Sequence, residues 1–254
     1  MSLRKMFGLG PGRRKARKLA ALTVADASPE TRAVIDRVRL FTMTSPERVA
    51  ALCNAVEYIV RCGISGDFVE CGVWRGGSSM AMALTLLRLG NPGVHLHLFD
   101  TFAGMTPPTA LDRAIPTGEA AAVLLARSDR QTGLVWAYAP IEEVEGNLAG
   151  TGYPAGKLHF IAGRVEDTLP RHAPDRIALL RLDTDWYEST RHELIHLFPR
   201  LVAGGVLIID DYGHWDGSRQ AVDEYLAEHK IKLLLNRIDY SGRIGVKLEP
   251  TPPL

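Results

Sequence analysis

Residues 67–78 read Asp-Phe-Val-Glu-Cys-Gly-Val-Trp-Arg-Gly-Gly-Ser, and no other stretch restricts the fold as strongly. An apolar run ends in an acid, a turn with glycines at 72, 76 and 77 follows, and a helix opens at once on Ser78. Glycine lets backbone approach a ligand closely, and the exposed N–H groups of a helix start favour an anionic group. A dinucleotide turn would read G-x-G-x-x-G. Here Gly72 and Gly76 are four apart, which argues against a bound pyrophosphate.

From Asp67 onward, short apolar runs alternate with helical spacing, as a sheet built from strand-helix units requires. Strands are expected at 67–71, 94–99, 157–162, 177–182 and 206–209, with helices over 78–89, 187–197 and 218–229. Segments 232–238 and 244–248 read as a closing pair joined through Ser241-Gly242. The expected fold is α/β, a doubly wound, mostly parallel seven-stranded sheet with an antiparallel edge. Ser28-Pro29-Glu30 and Ser45-Pro46-Glu47 each place an N-cap before a first-turn proline, so two helices precede the first strand.

Residues 1–18 hold seven cationic side chains and no acid, so the chain's net charge of +1 conceals a body of −6. The expected organisation is a flexible basic arm over 1–18 and one domain over 19–254, with N-terminal helices in 19–66. The 101–156 connection is too long for a plain loop and is expected to act as a lid; Trp136 and Tyr138 within it read as its apolar anchors. No apolar stretch long enough for an export signal or a membrane span is found, so a cytoplasmic protein without membrane or nucleic-acid partners is expected. Cys53, Cys62 and Cys71 have no zinc-type spacing and read as small apolar fillers.

Two acidic clusters follow apolar strands: Asp183-Thr184-Asp185 after 179–182, and Asp210-Asp211 after 206–209. In open parallel sheets, ligands bind outside the carboxyl ends of the strands, where both clusters would meet. Crowded like charges call for a cation, and an all-oxygen set selects a hard one such as Mg²⁺. Pairing of the acids with Arg181 is the structural alternative. An EF-hand loop is excluded by Tyr187 and Glu188. A glycosyltransferase Asp-x-Asp motif built on Asp183 and Asp185 stays open, as does a non-catalytic S-adenosylmethionine-binding or scaffold protein. Asp100 stands at the end of the second strand, where an acid can reach both hydroxyls of a ribose. His214 reads equally as a base, a hydrogen-bonding partner for a substrate hydroxyl, or a surface histidine.

Glu70-x-Gly72-x-x-x-Gly76 resembles the donor-binding turn of class I S-adenosylmethionine (SAM) methyltransferases. A closer likeness covers residues 36–250: Phe41 to Arg48, Glu70 to Gly77, Leu98 to Phe102, Leu182 to Thr190 and Ile209 to Tyr212 resemble the macrocin O-methyltransferase family. That resemblance implies a SAM- and Mg²⁺-dependent enzyme that methylates a sugar hydroxyl of a glycosylated small molecule, and a homo-oligomer. It implies metal ligation by Asp183, Asp210 and Asp211, with Asp185 as general base. It also implies SAM contacts from Glu70, Gly72, Gly76, Ser78, Asp100 and Asp183, with Arg164 and Val165 at the adenine end. Met43, Thr44 and Ser45 would close over the donor. The lysine base of the more distant catechol O-methyltransferases is missing, since Trp186 holds its place.

Overall fold

The computed structural model describes residues 24–249, so the basic arm lies outside the described residues. Two helices come first, α1 (Pro29–Val38) and α2 (Pro46–Arg61). Ser28 and Ser45 cap them as expected, each side chain accepting from the backbone N–H three residues on, Thr31 and Arg48. Such a cap contributes about 1 kcal/mol. Along α2, Val49, Leu52, Cys53, Val56 and Ile59 are buried at helical spacing.

The sheet strands are β1 (Asp67–Cys71), β2 (Leu96–Asp100), β3 (Leu158–Ala162), β4 (Ile177–Leu182), β5 (Leu201–Ile209), β6 (Asn236–Arg237) and β7 (Arg243–Val246). They lie in the order β3-β2-β1-β4-β5-β7-β6; the first five are parallel, and β7 runs antiparallel to both β5 and β6. The helices are α3 (Gly77–Arg88), α4 (Ala121–Ala126), α5 (Ile141–Ala149), α6 (Val165–Thr168), α7 (Tyr187–Leu197) and α8 (Asp216–Glu228). Expected and observed strands differ most at β5, which starts five residues earlier than the apolar run at 206, and at β6, expected over 232–238 and only two residues long. Gly204 and Gly205 interrupt the apolar pattern in β5, and the β4–β5 register shifts between Ile177 and Leu179.

Alternation along the strands makes two apolar layers. Phe68, Leu96, Leu98, Leu179 and Ile208 face α2 and α3, whereas Val69, Phe99, Leu180 and Ile209 face α7 and α8. On the first face, Glu70 and Arg181 are register partners on β1 and β4, so an ion pair lies inside an otherwise apolar layer. Cys53 and Cys71 are buried fillers as expected. Cys62 is exposed, because it follows the last residue of α2 and leaves the packed face.

Residues 101–156 pack a small apolar cluster against the main domain. Ala114, Ala121 and Leu125 pack with Trp186 and Trp215, and Trp136 joins this cluster. The Trp136 indole N–H donates to the Leu125 and Ser128 carbonyls. Asp112, fully buried, accepts from the backbone N–H of Tyr187 at 2.8 Å and of Thr109 at 2.6 Å, which ties the insertion to the start of α7.

Candidate active site

A cleft of about 380 Å³ opens at the carboxyl ends of β1 to β5. Its floor begins at the turn after β1, where Gly72 has φ +81 and Gly76 has φ +87. A Cβ on Gly72 would collide with the Asp183 carbonyl, so strand β4 can approach only because this residue has no side chain. Asp100 borders the cleft and stabilises the turn: one carboxylate oxygen accepts from Val73 N (2.6 Å) and Trp74 N (3.0 Å), the other from Phe102 N (2.8 Å). Its carboxylate is therefore also a backbone anchor, a role that strand-end spacing does not display.

Of the anticipated donor-site residues, Met43, Thr44, Gly72, Ser78, Asp100, Arg164, Val165 and Asp183 line the cleft; Ser45, Glu70 and Gly76 do not. Each exception has a physical reason. The Ser45 hydroxyl accepts from Arg48 N and donates to Asp239 Oδ2 at 2.7 Å. Gly76 sits beneath α5, where an added Cβ would stand 2.6 Å from Leu148 Cδ2. Glu70 is 1% exposed and turns into the sheet layer, accepting from Arg181 Nη1 at 2.6 Å and from the Ser79 hydroxyl. The expectation that the Glu70 side chain touches a ligand is corrected accordingly: its contacts are internal.

The acids at the ends of β4 and β5 do converge. Asp183, Asp185 and Asp211 each offer an oxygen within 4.8 Å of the others. Asp210, anticipated as a metal ligand, lines the cleft but is not in this group. Arg181 Nη2 donates to one of its oxygens at 2.6 Å and Arg48 Nη1 to the other. Arg181 also pairs with Asp183 at 2.8 Å, so the anticipated structural pairing and the acid cluster exist side by side. Arg48 further donates to Asp239 Oδ2 at 3.0 Å, linking the start of α2 to the β6–β7 hairpin.

Electrostatics of this group follow from crowding. Burial, with neighbouring carboxylates adding to it, pushes Asp183 and Asp211 well above the ordinary range and Asp185 up to about 7. Burial opposes the Arg181 charge, but Asp183, Asp210 and Glu70 outweigh it and hold the guanidinium charged. Asp185 has φ +67, a rare backbone state for a residue with a side chain, and its N–H donates to Asp211 Oδ2 at 3.1 Å. Such strain collects at functional positions. Behind the turn, the Thr184 hydroxyl donates to buried Glu193 at 2.9 Å, and burial raises the Glu193 carboxyl well above its usual range.

The outer wall holds residues that sequence reasoning did not single out: Thr42, Arg48, Trp215 and Tyr240, with Leu134 and Val135 from the insertion. The only sequence signal for Trp215 is its place four residues after Asp211. His214 also borders the cleft, within 3.3 Å of the Tyr240 hydroxyl, and burial lowers its imidazole below the usual value. Trp136 and Tyr138 are not among the lining side chains, consistent with Trp136 as an anchor of the insertion.

Comparison with known proteins places these features in context. The family model described as Macrocin-O-methyltransferase (TylF) matches residues 14–244. A Streptomyces olivaceus protein, 8-demethyl-8-(2,3-dimethoxy-alpha-L-rhamnosyl)-tetracenomycin-C 4'-O-methyltransferase, is 36% identical over 205 residues, covering 79% of this chain and 73% of that one. Demethyldecarbamoylnovobiocin O-methyltransferase from Streptomyces niveus is 33% identical over 201 residues, covering 79% of this chain and 73% of its own. Among solved structures, the O-methyltransferase NovP superposes with a TM-score of 0.71 at 31% identity, covering 82% of this chain and 83% of that one.

Proposed function

The chain belongs to the macrocin O-methyltransferase family and is a methyltransferase; from that premise we propose that it transfers a methyl group from SAM to a sugar hydroxyl of a glycosylated small molecule, with Mg²⁺ as cofactor. The observation that carries this reading is the convergence of Asp183, Asp185 and Asp211 within one cleft that continues from the glycine turn. Relatives that methylate sugar-bearing natural products support the acceptor class by their names, and those names are properties of the relatives.

The residues present fit a hard dication. Three carboxylates, pushed towards protonation by burial and by one another, gain most from a nearby double positive charge. Their donors are all oxygen, the set preferred by Mg²⁺ over softer ions. Asp183 and Asp211 would hold the ion. Asp210 stands behind them with both oxygens accepting from arginines, and direct ligation by it requires one arginine to move. When bound, Mg²⁺ favours the alkoxide form of a sugar hydroxyl whose own acidity is far too weak at neutral pH.

Asp185 lies within the same group and takes the hydroxyl proton as the oxygen attacks the sulfonium methyl. The carbon–oxygen bond forms while the carbon–sulfur bond breaks, and S-adenosylhomocysteine leaves. Positioning of the two reactants supplies much of the rate, and the left-handed backbone at Asp185 fixes the base by sharing its N–H with Asp211. Met43 and Thr44 would close over the donor, and Leu134 and Val135, from residues 101–156 acting as the lid, would enclose the acceptor.

Calorimetric titration with SAM, run with and without Mg²⁺ beside a methyl-transfer assay on a glycoside, tests this function. Asp185→Asn should bind SAM as the parent does and lose turnover strongly; undiminished turnover removes Asp185 as the base. Asp183→Asn and Asp211→Asn should lose Mg²⁺-stimulated activity, and full activity of both in chelator refutes the metal assignment. The comparisons support neither a glycosyltransferase nor a non-catalytic reading; tight binding of a nucleotide sugar and not of SAM would reopen the first, and SAM binding without any methyl transfer the second.

A further inference from the structure

The opposite end of the sheet carries a second cluster of ligating side chains. The crossover from β3 to β4 contains only the four-residue helix α6, about 6 Å of helix against strands roughly 16 Å long. At the amino ends of β2 and β3, polar side chains stand where a longer helix would have covered the sheet. His97 and His159 are register partners on β2 and β3, and His95, two residues before His97, projects from the same face. His95 Nδ1 lies 2.6 Å from His159 Nε2, and His97 Nε2 lies 3.0 Å from Asp67 Oδ2 at the start of β1. The rings of His95 and His97 each stack on that of His159, with centroids 4.9 and 4.7 Å apart.

We propose that His95, His97 and His159, with Asp67, form a site for a borderline-soft divalent transition ion, Zn²⁺ being the reference case. His95, just before β2, and His97 on it stand beside His159 on β3; the nitrogens of His95 and His159 already meet, and the ring of His97 must turn to bring a third nitrogen to them, since no three of these ligand atoms lie within 4.8 Å of one another as the side chains stand. Imidazole suits Zn²⁺, Cu²⁺ and Ni²⁺, and three histidines with an open position make an accepted zinc set. Asp67 then serves as the fourth ligand or orients His97 from behind. Two imidazole nitrogens as close as those of His95 and His159 share a single hydrogen, which a dication replaces. Ligation at zinc–nitrogen lengths of 2.0–2.1 Å opens such a pair to about 3.3 Å, a small rotation for side chains that are only half-buried.

The chemistry separates this site from the acidic one. It offers mainly nitrogen, lies at the amino rather than the carboxyl ends of the strands, and borders its own cleft of about 930 Å³. One neighbour opposes it. Lys157 Nζ lies 3.0 Å from His95 Nε2, and ligation through Nδ1 puts a hydrogen on Nε2, so the ammonium must swing away. Lys157 therefore weakens the site.

Titrating the full chain, stripped with chelator and dialysed, with Zn²⁺ alone tests the proposal, and Co²⁺ absorption reports the ligand geometry. One ion per chain that Asp183→Asn leaves bound is expected, with the intense visible bands of tetrahedral cobalt. His97→Gln and His159→Gln should each weaken Zn²⁺ binding by about tenfold or more. Lys157→Met should tighten it, and Asp183→Asn should leave it in place. Circular dichroism of the metal-free variants checks that each is folded, and the cobalt spectrum of the parent chain needs no variant at all. Binding that Asp183→Asn abolishes, binding that both histidine variants retain at full strength, or weak octahedral cobalt bands alone would overturn the site.

Discussion

Replacing Arg181 by methionine should be among the most damaging single substitutions in the core, and its cost should depend on pH. Arg181 is 3% exposed and contacts Glu70 at 2.6 Å, Asp183 at 2.8 Å and Asp210 at 2.6 Å. Without it, Asp210 keeps Arg48 and Asp183 stays partly open to the cleft, but Glu70 retains only the Ser79 hydroxyl. Glu70 can escape by taking a proton. From an ordinary value of 4.5, protonation at pH 7 costs at most about 3.4 kcal/mol, and at pH 5.5 about 1.4 kcal/mol. Removing one partner of a buried pair costs about 3–5 kcal/mol in general, which agrees with the value at pH 7.

The sign follows from linkage. In Arg181→Met the folded-state pKa of Glu70 rises further above its unfolded value, so the variant is least impaired below 4.5 and loses stability as pH rises. Urea denaturation at pH 5.5 and 7 measures this directly, and at pH 7 the melting temperature should fall by roughly 6–20 °C. Adding Glu70→Gln to Arg181→Met should recover most of the loss. A defect below about 1 kcal/mol at pH 7, or one of equal size at both pH values, would refute the claim that Arg181 neutralises a buried charge.

Further outcomes follow from other positions. Gly72→Ala combines a left-handed φ with a collision against the Asp183 carbonyl, and should cost at least about 2 kcal/mol while abolishing SAM binding, as a denaturation curve and a calorimetric titration would show. Asp100→Ala removes the acceptor of three backbone N–H groups, so SAM affinity should fall more than tenfold; unchanged affinity would mean that the turn is self-supporting. Glu193→Leu leaves the Thr184 hydroxyl without its partner and should lower turnover with little change in SAM affinity, whereas Glu193→Gln, which still accepts that bond, should restore most of the rate. Burial pushes the Tyr153 and Tyr225 phenols up to about 12. Their share of stability is therefore present below pH 10 and lost between pH 10 and 12, and ultraviolet titration should find two phenols that ionise only as the fold is lost.

Much of this protein is legible along the chain because the relevant forces act between near neighbours. Ser28 and Ser45 cap helices because a hydroxyl reaches an N–H three residues on. Strand-helix alternation fixes a parallel sheet, and that sheet brings Asp183 and Asp211 to adjacent strand ends. Tertiary structure alone decided which partner each acid takes. Glu70 looked ligand-facing from its place before the glycine turn, yet it meets Arg181, 111 residues away, because strand alternation points it into the layer shared with α3. Asp210 is claimed by Arg48 across 162 residues, and Asp100 by the backbone of a different turn. The histidines at 95 and 97 show their alternation in sequence, but His159 joins them only through strand register. Charge pairing and hydrogen bonding act over a few ångströms of space, whatever the separation along the chain. Local pattern therefore determines where acids and imidazoles are delivered, and packing determines which of them remain available to a ligand.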